Sequence, residues 1–383
     1  ATVTVKMFSP TELSYISIPG FANNVDVARS YAYVAAGSTG LQVVDVSGPD
    51  NPIIVGSADT PGNANDVKVS GNYVYVADGT SGLQVIDISS AQSPVIVGTV
   101  DTPGNASDVV VRVTLVYVAD SSSGLQIIDI SDPTAPVIIG SVDTPGNAKG
   151  VDVNGTVAVV ADGPTAQIID VTDPANPLIA GSVTTSDARD VYIKGDYAYV
   201  ADTIQSSSLK AIDISVPSNP VVTGTVGNNI LTDAAGFGDF LFGSDVFNVN
   251  AIPAYSIRVP HLPIFQALID FSMYRDDKGT GIAVDRNYLY LTAGQGNVEN
   301  GSSGDTRLYI GQYQEIIDEG GIPPSVSITS PADGDAAFEG QIISIEANAV
   351  DDVETASVSF LVDGEIVFTD DTLPYRFDYT VPL

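Results

Sequence analysis

The chain has 383 residues, 44% of them apolar, which is enough for two domains that each bury a core. Its 47 acidic and 14 basic residues give a net charge of −33, which argues against nucleic acids and anionic membranes as partners. There is no cysteine, so disulfides and thiol catalysis are excluded. No apolar run reaches the roughly 18 residues that a membrane span needs, so we expect no membrane insertion.

The first ten residues, ATVTVKMFSP, alternate like an edge strand and do not belong to the repeats that follow. After them a unit of about 42 residues recurs, marked by prolines spaced 42, 42, 41, 43 and 43 residues apart from Pro52 to Pro263. Each unit contains runs such as YVYVA, LQVIDI and PVIVGTV, whose β-branched and aromatic residues predict strands. Four strands in a unit of this length are typical of a β-propeller blade.

The repeats predict seven blades over about residues 11 to 316, because seven YVYV-type strands occur but only six outer strands follow them. The segment LSYISI, from Leu13 to Ile18, precedes PGFANNVDV just as VGSAD precedes TPGNANDV. We therefore expect this N-terminal strand to complete the last blade. An open ring would leave two unpaired sheet edges.

Residues 317–383 show a different pattern, with alternating strands and turn signals every 8 to 12 residues, after an acidic and Gly/Pro-rich linker. This spacing predicts an immunoglobulin-like β-sandwich. The predicted fold is thus all-β. It comprises residues 1–10 as a stray strand, 11–316 as a seven-bladed propeller closed by an N-terminal strand, and 317–383 as a sandwich that is incomplete in this chain.

Acidic residues that precede the inner strands are the first candidate site. By the repeat register they could ring one mouth of the central channel and bind a cation or a sugar, or they could simply cap the inner strands. These candidates are Asp66, Asp108, Asp190 and Asp233. Asn24, Gly150 and Gly281 occupy the other three matching positions.

Calcium is the ion best suited to this chain, because it needs only oxygen ligands. The long insertion of blade seven and an acidic stretch of the sandwich offer such ligands. Neither has the spacing of an EF-hand, and a solvated turn is the alternative for each. The candidates are Asn297, Glu299, Asn300 and Asp305 in blade seven, and Asp351, Asp352 and Glu354 in the sandwich.

Catalytic motifs are lacking in the sequence. The only histidine, His261, stands between Val-Pro and Leu-Pro, where we expect it to fill a turn, and there is neither a GxSxG elbow nor a P-loop. We therefore expect no enzymatic activity and no cofactor other than calcium. Paired carboxylates at the channel mouth leave a glycan hydrolase as an alternative.

The segments YVAD, GLQVIDIS and PVIVGS resemble the LVIVD-repeat family of bacterial and archaeal surface propellers, most clearly in the first five blades. The segments PPSVSITSPADGDAAF, SVSFLVDGEIVFTD and LPYRFDYTV are similar to bacterial immunoglobulin-like domains, which usually end in a TATVTV-like strand. Neither resemblance brings catalytic residues. Together they imply an extracellular or cell-surface location.

The N-terminal ATVTVKMF matches that last sandwich strand. We hypothesise that residues 1 to 8 complete an immunoglobulin-like domain of a preceding module or of a neighbouring copy, which would give a filament-like array. The expected function is a structural or adhesive module with neighbouring copies or adjacent modules as partners. A propeller that binds surface glycans or a calcium-dependent ligand is the alternative.

Overall fold

In the computed structural model of the chain, every described regular element is a strand. The structure describes residues 3–8, 11–203, 208–227, 231–245, 251–270, 277–285, 288–295, 306–312, 315–316, 325–330, 341–350, 354–362, 365–370 and 375–380. The chain divides into two units: Thr11–Gln312, and Ala1–Pro10 together with Tyr313–Leu383. Among the described residues there is no helix of the length and hydropathy that a membrane crossing requires.

The unit Thr11–Gln312 is a β-propeller, with seven blades in the described ranges, and each blade has four antiparallel strands. Strands β1 (Val3–Phe8) and β2 (Thr11–Ile18) precede the first blade. Blade one consists of β3 (Asn24–Ala28), β4 (Tyr31–Ala35), β5 (Leu41–Asp45) and β6 (Ile53–Ala58). Blade two consists of β7 (Asp66–Ser70), β8 (Tyr73–Ala77), β9 (Leu83–Asp87) and β10 (Val95–Val100). Blade three consists of β11 (Asp108–Arg112), β12 (Leu115–Ala119), β13 (Leu125–Asp129) and β14 (Val137–Val142).

Blades four and five form one continuous seven-stranded sheet. It contains β15 (Gly150–Asn154), β16 (Val157–Ala161), β17 (Gly163–Asp170), β18 (Leu178–Lys194), β19 (Tyr197–Asp202), β20 (Leu209–Asp213) and β21 (Val221–Val226). Strand β18 is both the outer strand of blade four and the inner strand of blade five, and it changes partner from β17 to β19 at Ala188. The other early junctions carry the turn sequence TPGNA, whereas this junction has TTSDA, which lacks Pro-Gly and stays extended.

Blades six and seven complete the ring. Blade six consists of β22 (Leu231–Phe237), β23 (Phe240–Asp245), β24 (Ala251–Ser256) and β25 (Ile264–Asp270). Blade seven takes β26 (Asp277–Asp285), β27 (Tyr288–Gln295) and β28 (Thr306–Gln312) from the end of the repeats, and β2 as its outer strand. Ile18 of β2 packs in one apolar cluster with Leu308 and Ile310. The predicted closure by an N-terminal strand is confirmed.

The middle strands are apolar on both faces because each face packs on a different neighbouring blade. On β8, Val74 and Val76 pack with residues of blade one, such as Tyr33. Tyr75 and Ala77 point to the other face and pack with residues of blade three. Covering both faces in this way explains why the YVYVA runs lack a polar side.

The second unit has two antiparallel sheets, in the orders β29-β1-β32-β33 and β30-β31-β34. Its remaining strands are β29 (Glu315–Ile316), β30 (Ser325–Ser330), β31 (Ile342–Val350), β32 (Glu354–Val362), β33 (Glu365–Asp370) and β34 (Tyr375–Thr380). Strand β1 lies between β29 and β32, with Val3 opposite Val358 and Lys6 opposite Glu354.

The position of β1 corrects one hypothesis drawn from the sequence. Residues 1 to 8 were expected to complete a sandwich in a preceding module or a neighbouring copy, but Val3–Phe8 pairs with β32 of its own chain. The unpaired N–H and C=O groups of a strand edge can bond to any complementary strand. A strand of the same chain does so without the entropy cost of association between two molecules. The strand is therefore a member of the sandwich sheet and not a stray element.

Candidate functional site

The inner strands of the propeller surround a central cavity of about 360 Å³. One position of the repeat, called the first position of the inner strand, is occupied by Asn24, Asp66, Asp108, Gly150, Asp190, Asp233 and Gly281. The residue two places later is the third position, and its side chain lies on the same side of the strand. Acidic residues line the cavity together with two cations, Lys68 and Arg112. The acidic lining residues are Asp26, Asp108, Asp152, Asp190 and Asp233.

Carboxylates at the first position of the inner strands bond forward to the next blade. Oδ2 of Asp66 accepts a hydrogen bond of 2.9 Å from the backbone N–H of Val109, and Oδ2 of Asp108 accepts one of 2.6 Å from Val151. Asp190 accepts from Ala234 at 2.9 Å, and Asp233 accepts from Ile282 at 2.7 Å. Innermost strands are sheet edges whose outward N–H groups have no neighbouring strand to bond, so each carboxylate accepts from a donor that the sheet leaves unpaired.

The third position supplies this bond where the first position cannot. Blades one and four carry Asn24 and Gly150 at the first position, and there the forward bond comes from Asp26 and Asp152, two residues further on. Oδ2 of each accepts a hydrogen bond of 2.8 Å, Asp26 from the N–H of Val69 and Asp152 from that of Ile193. One aspartate therefore bridges each of the six junctions from blade one to blade seven in the described part of the ring.

The closing junction, from blade seven to blade one, is bridged differently. The hydroxyl of Thr280 donates a hydrogen bond of 2.6 Å to the carbonyl oxygen of Ala22. Beside it, a Cβ on Gly281 would lie 2.3 Å from Oδ1 of Asn24. Gly281 therefore permits a close approach of the last blade to the first, which a larger residue would prevent.

Burial is the main influence on the acidity of these carboxyl groups, and it raises the pKa of Asp26, Asp108, Asp152, Asp190 and Asp233. The neighbouring charge of Asp66 further raises the pKa of Asp108, and that of Asp233 further raises the pKa of Asp190. Burial alone would lower the pKa of Lys68, but the carboxylates around it outweigh burial and raise it. Lys68 is therefore a charged cation within the acidic channel.

The structure brings the four predicted acidic residues together around the channel, where they have the capping role considered from the sequence. They cap inner-strand N–H groups, and three of them also line the cavity, whereas Asp66 is buried with 2% exposure. Within the described residues, no three His, Cys, Asp or Glu side chains are arranged to hold a metal ion. The proposed calcium ligands Asn297, Glu299, Asn300, Asp305, Asp351 and Asp352 lie outside the described residues.

Sequence reasoning missed Asp26, Lys68, Arg112 and Asp152. For three of them the sequence carried a signal. Asp26, Lys68 and Asp152 each stand two residues after a first-position residue, and side chains two residues apart lie on the same side of a strand. Arg112 bonds both the carbonyl of Val153, at 2.8 Å, and Oδ1 of Asp152, at 2.6 Å. It thereby adds a second bridge from blade three to blade four.

A separate group of aspartates has the turn-forming role that the sequence predicts. Each ends the third strand of its blade and accepts a hydrogen bond from the backbone N–H two residues later, at 2.7 to 2.9 Å. These residues are Asp45, Asp87, Asp129, Asp170 and Asp213. His261 lies exposed in a turn, as expected.

Comparison with solved structures supports the propeller fold. A chain described as "Structure of U3-55K" aligns with a TM-score of 0.62 at 10% identity, covering 79% of this chain and 99% of that one. A chain of a mitotic checkpoint complex aligns with a TM-score of 0.63 at 14% identity, covering 82% and 94%. The β-propeller domain of Cps50 (Swd1) from Myceliophteria thermophila aligns with a TM-score of 0.58 at 12% identity, covering 78% and 99%. At these identities the likeness concerns the fold alone.

Two family models match the chain, whereas no curated protein matches it. Residues 324–383 match the bacterial Ig domain. The LVIVD repeat matches five times in tandem, at residues 19–60, 61–102, 103–144, 145–185 and 186–227. Each match spans one of the first five blades, and the five together cover more than half of the sequence, so the chain belongs to the LVIVD repeat family.

Proposed function

We propose that this chain is a non-enzymatic structural or adhesive module at the cell surface or in the extracellular space. The observation that carries the proposal is the use of the channel carboxylates. An aspartate oxygen bonds to the backbone of the next blade at each of the six junctions from blade one to blade seven. The acidic groups that a hydrolase would need for its substrate therefore hold neighbouring blades together. The pairing of a repeat propeller with a bacterial Ig domain supports a surface role.

The location can be tested on intact cells of the source organism. An antibody against the propeller is expected to label cells equally before and after permeabilisation, and external protease is expected to remove the label. A cytoplasmic marker provides the control, because it should be labelled only after permeabilisation. Labelling of this chain only in permeabilised cells would contradict the surface proposal.

The partners we propose are adjacent modules of a longer chain or neighbouring copies, met through faces other than the edge that β1 covers. The net charge of −33 makes copies repel one another at low ionic strength. Light scattering over a range of protein and salt concentrations should therefore show association that strengthens with salt. A monomer at all concentrations and salt levels would leave adjacent modules as the partner class.

A ligand-binding propeller is the second candidate, favoured by the cavity with its mixture of carboxyl groups and the Lys68 ammonium. Such groups can bond sugar hydroxyls. A glycan array and a calcium titration test this function, with Lys68→Met expected to abolish any binding in the cavity and Lys149→Met as the control outside it. Binding that survives Lys68→Met would locate the ligand elsewhere. Release of reducing sugar from any glycan would contradict the non-enzymatic proposal.

A further inference from the structure

Two pairs of channel carboxyl groups each share a single backbone donor. The N–H of Val109 lies 2.9 Å from Oδ2 of Asp66 and 2.8 Å from Oδ1 of Asp108. The N–H of Ala234 lies 2.9 Å from Oδ2 of Asp190 and 2.9 Å from Oδ1 of Asp233. Two carboxyl groups that converge on one N–H lie side by side, and one donor cannot neutralise two anions.

The junction between blades one and two has a neutral version of the same arrangement. There Asn24 occupies the position that an aspartate has in the pairs, and its Nδ2 donates a hydrogen bond of 2.6 Å to Oδ1 of Asp66. Its Oδ1 accepts from the N–H of Val25 at 2.7 Å. The amide thus supplies a hydrogen to the neighbouring carboxylate, which a pair of aspartates can do only if one of them is protonated.

The charges that face the two pairs also favour protonation. The Asp66/Asp108 pair is faced by Lys68 of blade two and by Asp26 and Asn24 of blade one. At the junction between blades three and four it is faced by Asp152, which is paired with Arg112. The Asp190/Asp233 pair is faced by Asp108, Asp66 and Lys68. In total, six carboxyl groups meet two cations around the channel, so full ionisation would leave an uncompensated negative charge in a largely buried site.

We propose that the pairs Asp66/Asp108 and Asp190/Asp233 are two proton-binding sites, each of which holds one proton between its carboxyl groups and links two neighbouring blades through it. When the proton leaves, the two carboxylates of a pair repel each other, and the junctions between blades two and three and between blades five and six weaken. The channel then acts as a pH-sensitive device built into the ring.

The direction of the pH effect follows from the raised pKa of Asp108, Asp190 and Asp233. Burial raises the pKa of all three, and the partner carboxylate raises those of Asp108 and Asp190 further. A group whose folded pKa is raised binds its proton more tightly in the folded state. Its contribution to stability is complete below the unfolded pKa and is lost as the pH rises through the folded pKa. The propeller should therefore lose stability from mildly acidic toward alkaline pH, which is the reverse of acid denaturation.

Infrared titration of the whole chain tests the proposal directly. We expect a C=O stretching band of protonated carboxyl at about pH 6, where ordinary aspartates are ionised, and we expect it to fade on alkaline titration. In Asp108→Asn and Asp233→Asn the amide can donate to the partner carboxylate, as Asn24 does. Each substitution should remove part of the band, and the double variant should remove the parts of both pairs, leaving only what other buried carboxyl groups such as Asp26 and Asp152 contribute. Asp143→Asn, in an exposed turn, should leave the band unchanged.

Stability measurements provide the second readout. The thermal midpoint of the wild type should fall from about pH 5 to about pH 8, and this fall should be smaller in the double variant than in Asp143→Asn. Absence of the protonated-carboxyl band in the wild type at about pH 6 would overturn the proposal, whether or not the variants fold. A band that the double variant retains in full would overturn it as well.

Discussion

The hydroxyl of Thr102 donates a hydrogen bond of 2.7 Å to Oδ1 of Asp120, a carboxylate with no exposed surface. The other oxygen of Asp120 accepts a hydrogen bond of 2.8 Å from the N–H of Gly104. One carboxylate thereby holds the turn by which the chain enters blade three. The same arrangement joins Thr60 to Asp78 and Thr144 to Asp162.

Asp120→Ala should lower the free energy of unfolding by about 1–3 kcal/mol, because it leaves the Thr102 hydroxyl and the Gly104 N–H without their acceptor. Chemical denaturation measures this change. Asp101→Ala is the control, since Asp101 is an exposed aspartate of the same turn, and it should change stability by less than about 0.5 kcal/mol. Equal effects of the two substitutions would show that Asp120 does not hold the turn.

Gly98→Ala should destabilise the propeller by about 1–3 kcal/mol. A Cβ at this position would lie 2.2 Å from the carbonyl oxygen of Pro133 and 2.9 Å from Cδ of Pro136, both in the next blade. These neighbours are backbone and ring atoms, so they cannot move aside as a flexible side chain can. Gly56, Gly140, Gly181 and Gly224 have the same close approach to the following blade, at 2.0 to 2.6 Å.

The control for Gly98→Ala is Gly48→Ala, where the added Cβ would have no neighbour within 4 Å. This substitution should be neutral or slightly stabilising, because alanine restricts the unfolded chain. Thermal unfolding compares the two variants directly. A neutral Gly98→Ala would mean that neighbouring blades can separate at their outer strands without cost.

Val113→Gly should stabilise the chain by about 1 kcal/mol, because a β-branched residue is costly in the left-handed region. Val113 has φ of 56° and is 93% exposed, so its side chain contributes little packing. The matching turns of blades two, four, five and six use glycine at φ between 58° and 62°: Gly71, Gly155, Gly195 and Gly238.

Val216→Gly is the control for this substitution, because Val216 is also an exposed valine in a turn but does not have a positive φ. There the greater freedom of glycine in the unfolded chain should destabilise the protein. Denaturant midpoints measured side by side give the comparison. Destabilisation by both substitutions would contradict the strain at Val113.

A second pH effect, opposite in sign to that of the channel, should be found in acid. Hydrogen bonds from the serine or threonine two residues later lower the pKa of Asp45, Asp87, Asp129, Asp170 and Asp213. A lowered folded pKa contributes stability above the unfolded value of about 4, and this stability is lost as the pH falls through the folded pKa. The thermal midpoint should therefore fall below about pH 4.

Asp87→Asn together with Asp129→Asn should reduce this loss, because asparagine can form the same turn without titrating. The measurement is the thermal midpoint between about pH 5 and pH 2. Asp50→Asn, in an exposed loop, should keep the full loss and serves as the control. An unchanged acid dependence in the double variant would assign the acid sensitivity to other groups.

Much of the propeller was predictable because its repeat is regular and local. The strand runs and the Pro-to-Gly spacing predicted seven inner strands, and β2 closes blade seven as expected. The first-position aspartates were predictable as a group for the same reason. Their partners were not, because Asp66 bonds Val109, 43 residues later, and only the closed ring makes such residues neighbours.

The continuity of β18 and the place of β1 also required the structure. β18 passes from one blade to the next without a turn, although both blades it joins match the same repeat as the three blades before them. The strand pattern of ATVTVKMF identified a sandwich strand but could not say which edge it meets. Complementary edges on the same chain and on another chain look identical in a sequence.

The sequence by itself determined the all-β class, the period of the blades, the strand that closes the ring and the first-position aspartates around the channel. These features follow from hydrophobic alternation and turn chemistry, which act over a few residues. The tertiary structure decided which aspartate bridges which junction, where two carboxyl groups share one N–H, and that β1 joins the sandwich of its own chain. Those outcomes depend on distances between residues far apart in sequence, and only the folded chain defines these distances.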